Sequence, residues 1–183
     1  MPMGIAKDNT EAIAAAIKKA LDTGDAVVLT GGVSVGDYDL TPAAMEAAGA
    51  EILFRGVSIK PGMACAYGVK NGKLICALSG NPASSLTNYY AIALPAMRKL
   101  CGRKDCIPRE ITVTLPDGFR KKSPVTRLLR GKLDLSEGEA VMHVSKDQGN
   151  VVLSSTIGCD VMAVIPAGSD PIPSDGKLKG FLI

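Results

Sequence analysis

An apolar run that stops at paired glycines constrains the fold of this chain more than any other feature. Ala26–Thr30 is rich in β-branched residues, and it is followed at once by Gly31, Gly32 and Ser34. In an α/β protein such a run predicts a buried parallel strand, and ligands bind beyond the carboxyl ends of such strands. Glycines let backbone N–H groups approach an anion closely. The segment therefore predicts a site for a phosphate-bearing ligand.

Two carboxylates complete the same loop. Gly36 is followed by Asp37 and, two residues later, by Asp39. Carboxylate oxygens are ligands for a hard divalent cation, which would sit beside the phosphate. Asp37 and Asp39 are both candidate metal ligands, and the sequence does not decide which of them binds directly. The alternative interpretation is a tight strand-to-helix turn with solvated aspartates.

A second loop has the same character. Ser79, Gly80, Asn81 and Pro82 follow the apolar run 73–78. Asn81 is a natural helix cap and Pro82 a natural first helical residue, so the segment predicts a helix N-terminus that could bind an anion. The alternative is a well-capped helix without a ligand. Because both loops follow strands of one predicted sheet, we expect them at the same edge.

The segment 60–62, with the sequence Lys-Pro-Gly, predicts a turn. A lysine in such a turn is commonly a solvated surface charge. Near the two glycine loops it would instead balance the charge of a phosphate or another oxyanion. Lys60 is therefore a third candidate, with both interpretations open.

Composition excludes several classes of function. The 183 residues carry a net charge of +3 and no Trp, which does not favour nucleic-acid binding or base stacking. No apolar run is long enough to span a membrane, and the start of the chain lacks the pattern of a signal peptide. The five cysteines have no zinc-type spacing and predict reduced thiols in a cytoplasmic protein. The single histidine, His143, lies in an alternating stretch that predicts a strand, which argues against a Ser-His-Asp site.

Up to about residue 100, helices and strands alternate. Asp8 or Asn9 is expected to cap a first helix that ends at Gly24, and Thr41 is expected to cap a second that ends at Gly49. A strand is predicted at 51–54, and Asn71-Gly72 predicts a hairpin between the runs 63–67 and 73–78. The helix that starts at Pro82 should be kinked or divided by Pro95.

After residue 108 the pattern changes to short alternating stretches separated by turn residues. Strands are predicted at 111–115, 126–135, 140–144, 151–154, 161–165 and 177–182. They predict a small all-β domain, a barrel or a sandwich. Six basic residues are expected to form a solvated face of it, or else a strip that contacts an anion: Arg120, Lys121, Lys122, Arg127, Arg130 and Lys132. The hydroxyls of 154–156 could donate hydrogen bonds to a ligand.

Three motifs together, at 30–39, 60–62 and 78–84, resemble the MoeA family of molybdopterin molybdotransferases, whose eukaryotic counterpart is the E domain of gephyrin. The resemblance implies an α/β fold: an incomplete doubly wound MoaB/Mog-like domain at 1–105, lacking its first strand, and a C-terminal β domain at 109–183. It implies insertion of molybdate into adenylylated molybdopterin (molybdopterin-AMP) with release of AMP. A divalent ion such as Mg²⁺ and a homodimer are also implied.

The resemblance also suggests roles for individual residues. Asp39 and Asp8 match functional acids, and Lys60 matches a functional lysine. The pterin- and phosphate-binding loops would include Gly31, Gly32, Ser34, Gly80 and Asn81. Family members often continue the Lys-Pro-Gly motif with Lys-Pro, whereas this chain has Met63-Ala64, so one positive charge is missing.

The matching segment resembles the carboxyl-terminal part of family members. We therefore expect weak ligand binding without efficient turnover, and an exposed sheet edge that favours dimerisation or strand exchange. The alternatives are a molybdopterin adenylyltransferase-like protein, against which the β-rich segment argues, and a non-catalytic binding or scaffold module. The retained acids, Lys60 and both glycine loops favour an inherited ligand site.

Overall fold

The computed structural model of the protein describes residues 1–34 and 39–183. The chain divides into two compact units. The first contains Met1–Val57 and Gly62–Asn81, and the second contains Ser58–Pro61 and Pro82–Ile183. A compact unit need not fold by itself, so the domain boundaries expected from the sequence stay a prediction.

The first unit is an α/β layer. Its helices are α1 (Thr10–Thr23) and α2 (Thr41–Ala47), and its strands are β1 (Ala26–Thr30), β2 (Glu51–Arg55), β4 (Cys65–Lys70) and β5 (Lys73–Leu78). The strands form one sheet in the order β1-β5-β4-β2, in which β1 and β5 are parallel and the other pairs antiparallel. The predicted hairpin is confirmed, with Asn71 and Gly72 both at positive φ in its turn.

Local chemistry explains how α1 begins and which face it buries. The side chain of Asn9 accepts a hydrogen bond from the backbone N–H of Ala12 at 2.7 Å, so Asn9 rather than Asp8 is the cap. Ile17 and Leu21, one helical turn apart, are buried with Met45 of α2 and Ile75 of β5 in one hydrophobic core. This core holds both helices against the sheet.

Strand β1 corrects one expectation. The sequence predicts a fully buried strand, but Val28 is 41% exposed and Thr30 is also exposed. The reason is topological: β1 pairs only with β5 among the described strands and so forms an edge of the sheet.

The second unit contains a short strand, a long divided helix and a β-barrel. Its strands are β3 (Ile59–Lys60), β6 (Glu110–Leu115), β7 (Thr126–Asp134), β8 (Val141–Val144), β9 (Val161–Ile165) and β10 (Gly176–Leu182). The order β7-β8-β6-β10-β9 closes on itself because β7 also pairs with β9, while β3 pairs with β7 alone. The barrel interior is filled by apolar side chains such as Leu129, Met142 and Val161. The α/β class with a following barrel is thereby confirmed.

Proline divides the helix of this unit as predicted. Segment α3 (Pro82–Asn88) leads into a π-helical turn (Tyr89–Ala93), and α4 (Leu94–Leu100) follows with Pro95 in its first turn. A proline has no N–H to donate to the preceding turn, so a wider turn before it is a usual adjustment. In the described parts of the chain, no helix combines the length and apolarity needed to cross a membrane.

Two local predictions were wrong. Thr41 was expected to cap α2, but it is the first residue of the helix and Leu40 is the cap. The stretch 151–154 was expected to be a strand, but Leu153–Thr156 forms a 3₁₀ turn. There the Ser155 and Thr156 hydroxyls donate to backbone carbonyls three residues back, which favours a turn over a strand ladder.

Candidate functional site

The two glycine loops of the first unit lie side by side, as the sequence predicts. The N–H of Gly31, just after β1, donates to the C=O of Leu78 at the end of β5, at 2.9 Å. A Cβ atom built on Gly80 would lie 3.5 Å from the Cα of Gly31. The parallel pairing of β1 and β5 brings both loops to the same edge of the sheet.

Thr41 fixes the first loop, a role that the sequence analysis missed. Its hydroxyl donates to the C=O of Gly31 at 3.0 Å, and its N–H donates to the C=O of Gly32 at 3.0 Å. Gly32 has φ +63°, and a Cβ built on it would lie 2.7 Å from the Thr41 Oγ1. Only glycine fits there without movement of its neighbour. The signal was present in the Thr-Pro pair, but we interpreted it as a helix cap.

The second loop has its own internal hydrogen bond. The Ser79 hydroxyl oxygen accepts the N–H of Asn81 at 3.2 Å, and the Ser79 side chain is buried. Gly80 and Asn81 are exposed, as is Ser34 in the first loop. These exposed residues leave room for a ligand to approach both loops.

Two of the acids predicted for the site belong to this unit. Asp39 is half-buried just before α2, and Asp8 is exposed next to the cap of α1. Gly36 and Asp37 lie outside the described residues.

Within residues 1–34 and 39–183, no group of three or more His, Cys, Asp or Glu side chains could hold a metal. Mg²⁺ needs only one or two carboxylates when ligand phosphates and water complete its shell. The Asp39 carboxylate fits that chemistry, and its role stays a prediction.

Lys60 and Pro82 belong to the second unit. Lys60 is exposed on β3 and lies directly opposite Arg127 of β7 in the parallel register. Pro82 begins α3, and the N–H of the next residue, Ala83, donates to the C=O of Asn150 at 3.1 Å. One N–H at this helix start is therefore used by the protein itself. Met63, the departure from the family motif, is 51% exposed.

Arg130 corrects the expectation of a solvated basic face. Arg120, Lys121, Lys122 and Lys132 are exposed as predicted, but Arg130 is completely buried. Its Nε and Nη2 donate to the Ser155 hydroxyl at 3.2 and 3.0 Å, and Nη2 also donates to the C=O of Gly149 at 3.2 Å. Burial lowers the pKa of Arg130, but a guanidinium keeps its charge in proteins.

The arrangement favours anionic ligands. Two glycine loops present backbone at one sheet edge of the first unit, and the second unit carries an exposed lysine beside an arginine. Backbone N–H groups and cations of this kind stabilise phosphates and other oxyanions. All five cysteines are free in the structure.

Comparison with known proteins identifies the family. Residues 2–99 match the family described as "probable molybdopterin binding domain". The chain belongs to this family. The resemblance to MoeA proteins that the three motifs indicated is confirmed.

Named relatives agree with this assignment. The chain is 36% identical over 165 residues to a molybdopterin molybdenumtransferase of Staphylococcus aureus. The aligned segment covers 89% of this chain and 39% of that protein. The relative of the same name in Staphylococcus epidermidis is 36% identical over 88% of the chain and 39% of its own length. The chain thus spans about two fifths of the length of these curated relatives.

Solved structures share the fold. A molybdopterin biosynthesis MoeA protein of Pyrococcus horikoshii matches with a TM-score of 0.77 and 31% identity, over 98% of this chain and 42% of that one. A molybdenum cofactor biosynthesis protein of Pyrococcus furiosus has a TM-score of 0.74 at 22% identity, over 98% of this chain and 57% of that one, and supports the fold alone.

Proposed function

We propose that this chain carries the molybdopterin-binding part of a molybdopterin molybdotransferase. It acts in molybdenum cofactor biosynthesis in the cytoplasm, where it binds adenylylated molybdopterin. Molybdate enters the dithiolene of that ligand and AMP is released. The observation that supports this proposal most directly is the pairing of two glycine loops at one sheet edge, in a chain of the molybdopterin-binding family.

The loops bind the anionic parts of the ligand. The backbone N–H groups of Gly32 and Gly80 approach phosphate oxygens, which larger residues would keep at a distance. The N–H of Gly31 bonds to Leu78, so Gly31 contributes the close approach that its missing side chain allows. The Ser79 hydroxyl accepts the Asn81 N–H, so its own proton remains free to be donated to the ligand. Ser34 offers a second hydroxyl, and Asn81 and Pro82 complete the second loop. Gly36 is also proposed to contact the ligand, as the sequence motif suggests.

The charged residues balance the ligand's negative charge. Asp39, with Asp37 as its alternative or companion, holds Mg²⁺, which draws electron density from the phosphoanhydride when bound. Lys60 offsets the charge of phosphate or molybdate oxygens, and Asp8 is the second functional acid. No protein nucleophile is required, since the leaving adenylate is displaced at phosphorus by water.

Isothermal titration calorimetry of this chain with adenylylated molybdopterin tests the proposal. We expect saturable binding that strengthens with Mg²⁺ over EDTA. Asp39→Asn should weaken the Mg²⁺-dependent part by about tenfold, the size of one lost charge-assisted contact. Asp22→Asn, an exposed acid near the other end of α1, is the matched control and should bind normally.

The same titrations separate the alternatives. An adenylyltransferase-like protein would bind ATP together with molybdopterin and form the adenylylated compound in a coupled assay. A scaffold module would bind none of these ligands while remaining folded. Either result would contradict the proposal.

We further propose that the chain forms a homodimer through the open edge of β1. Asp25 and Gly31 both bond to β5, so the alternate residues Ala26, Val28 and Thr30 turn their N–H and C=O groups to the open edge. This edge carries no charge, proline or bulge that would blunt it. An antiparallel copy centred on Val28 would pair Ala26 of each copy with Thr30 of the other.

Sedimentation velocity tests this dimer. Val28→Lys should convert it to a monomer, because a charge at the centre of the pairing disfavours edge-to-edge contact. Leu53→Lys, on the other sheet edge and 52% exposed, is the control and should leave the dimer intact. A monomeric wild-type chain would contradict the proposal.

A further inference from the structure

Lys60 and Arg127 form a pair of cations within the second unit. They lie opposite each other where β3 runs parallel to β7. Residues opposite each other in neighbouring strands project to the same face of the sheet, so their side chains extend on one side. Two like charges in that arrangement repel each other unless an anion offsets them.

No protein anion does so among the described residues. The ion pairs there join Arg103 to Asp105, Lys122 to Asp170 and His143 to Asp134, and none involves Lys60 or Arg127. The guanidinium of Arg127 makes no hydrogen bond to any described residue, and its Nε is buried without a partner. The charges of Lys60 and Arg127 and the N–H donors of the Arg127 guanidinium are therefore available to a group other than the described protein residues.

The guanidinium of Arg127 is nevertheless held in place. Its Cζ lies 5.5 Å from the centre of the Phe119 ring, a cation–π contact. Stacking on an aromatic ring restricts a flexible side chain without using its N–H groups. The planar guanidinium thus keeps donors that suit two oxygens of one anion.

We propose that Arg127 and Lys60 together bind one tetrahedral oxyanion, with Arg127 as a specificity-determining residue beside the predicted functional lysine. The ligand chemistry is that of phosphate or molybdate: a compact anion whose oxygens accept from both cations at once. The part of this inference that concerns Lys60 in catalysis rests on the proposed function, whereas the oxyanion pair does not.

Calorimetric titration of the full chain with sodium molybdate, and separately with inorganic phosphate, tests the pair at constant ionic strength. We expect saturable binding of at least one anion. Arg127→Gln and Lys60→Gln should each raise its Kd about tenfold, as for one lost charge-assisted contact. Tighter binding of molybdate than of phosphate identifies the metal oxyanion as the ligand. Tighter binding of phosphate identifies a phosphate group as the ligand.

Arg109→Gln is the matched control, because Arg109 is exposed and lies beside the start of β6, at the other end of the barrel from Arg127. It removes the same charge and should leave the Kd within twofold of the wild-type value. Arg127→Lys keeps the charge and should retain part of the affinity if Arg127→Gln unfolds the chain. Thermal melting of every variant separates a lost contact from a lost fold.

Two results would overturn the proposal. One is an Arg127→Gln variant that binds as tightly as wild type while Lys60→Gln is weakened. The other is the absence of saturable binding of both anions to folded wild-type chain. Failure to bind adenylylated molybdopterin, with the anion response of Arg127 retained, would refute the proposed function and leave this pair standing.

Discussion

In the sheet of the first unit, the buried side chains of Tyr67 and Cys76 hold their protons, whereas the barrel unit buries a charged guanidinium. Burial raises the pKa of Tyr67, with Cys76 and Cys65 adding to the effect, and burial raises the pKa of Cys76 to about 12. Arg130 stays charged and is held by Ser155 and Gly149. Among the described residues, the sheet of the first unit keeps Tyr67 and Cys76 neutral, while the barrel buries a charge whose Nε and Nη2 have acceptors and whose Nη1 has none.

The difference explains how each unit can be broken. A neutral buried group becomes destabilising only when pH forces it to ionise. A charged group with dedicated partners becomes destabilising when it or a partner is removed, because the rest are left unsatisfied. The two units should respond to different perturbations.

The largest effect is expected from Arg130→Ala. It empties a fully buried position and leaves the Ser155 and Gly149 acceptors without their donor. We expect a loss of about 3 kcal/mol or more in the free energy of unfolding. Urea denaturation followed by far-UV circular dichroism measures it.

Two further variants show what causes that loss of stability. Lys132→Ala, on the same strand but exposed, should change the stability by less than about 0.5 kcal/mol. Arg130→Met fills the space without charge or donors. If Arg130→Met were as stable as wild type, packing and not the hydrogen-bond network would account for the loss.

Alkaline pH should destabilise the first unit. The pKa of Cys76 rises from 9.0 to about 12 on folding, so the unfolded thiol releases its proton first as pH rises. The stability that depends on the protonated Cys76 thiol is complete below pH 9 and is lost progressively up to the folded pKa, by roughly 3 kcal/mol at pH 11. Denaturation midpoints between pH 8 and pH 11 measure the slope.

Cys76→Val tests the origin of that slope. It removes the thiol from a buried position and should flatten the alkaline decline, leaving only the part due to Tyr67. Cys101→Ser, at an exposed thiol, should leave the slope unchanged. Equal slopes in wild type and Cys76→Val would show that Cys76 has no part in the decline.

Gly32→Ala should destabilise the first glycine loop. Gly32 has a positive φ, and a Cβ at this position would lie 2.7 Å from the Thr41 Oγ1, so both the backbone and the neighbour oppose a side chain. We expect a loss of about 2 kcal/mol, from backbone strain and overpacking together. Gly72 has φ +76° but open space around it, so Gly72→Ala introduces backbone strain without overpacking. It should cost about half as much unfolding free energy as Gly32→Ala.

Much of the first unit could be predicted because its signals are local. Turn chemistry at Asn71-Gly72, the cap at Asn9 and the glycines after β1 and β5 all act within a few residues. The meeting of the two glycine loops also followed, since it requires only that β1 and β5 be parallel neighbours. That pairing is what the structure has.

The barrel was harder to predict in detail because its determinants are distant in sequence. Ser155, 25 residues from Arg130, is what lets that arginine be buried. The same serine draws 153–156 into a turn where alternation suggested a strand. Lys60 joins β7 through a two-residue strand that no local pattern indicates. Alternation predicted most of the barrel strands, but not which polar side chains are buried.

The smallest effect is expected from Thr41→Val, which keeps the shape of a buried residue and removes one hydrogen bond. The C=O of Gly31 loses its hydroxyl donor, and we expect a cost of about 1 kcal/mol in unfolding free energy. Thermal denaturation of purified variants measures it. A variant as stable as wild type would mean that solvent satisfies that carbonyl equally well.

Combining the substitutions reveals whether Thr41 and Gly32 act as one feature. In a Thr41→Ala background the hydroxyl that lies 2.7 Å from the new Cβ is gone, so Gly32→Ala should cost about as much as Gly72→Ala. An undiminished cost would assign the whole penalty to the backbone. A reduced cost would show that the helix start and the glycine loop are fitted to each other, which is what a preformed anion-binding loop requires.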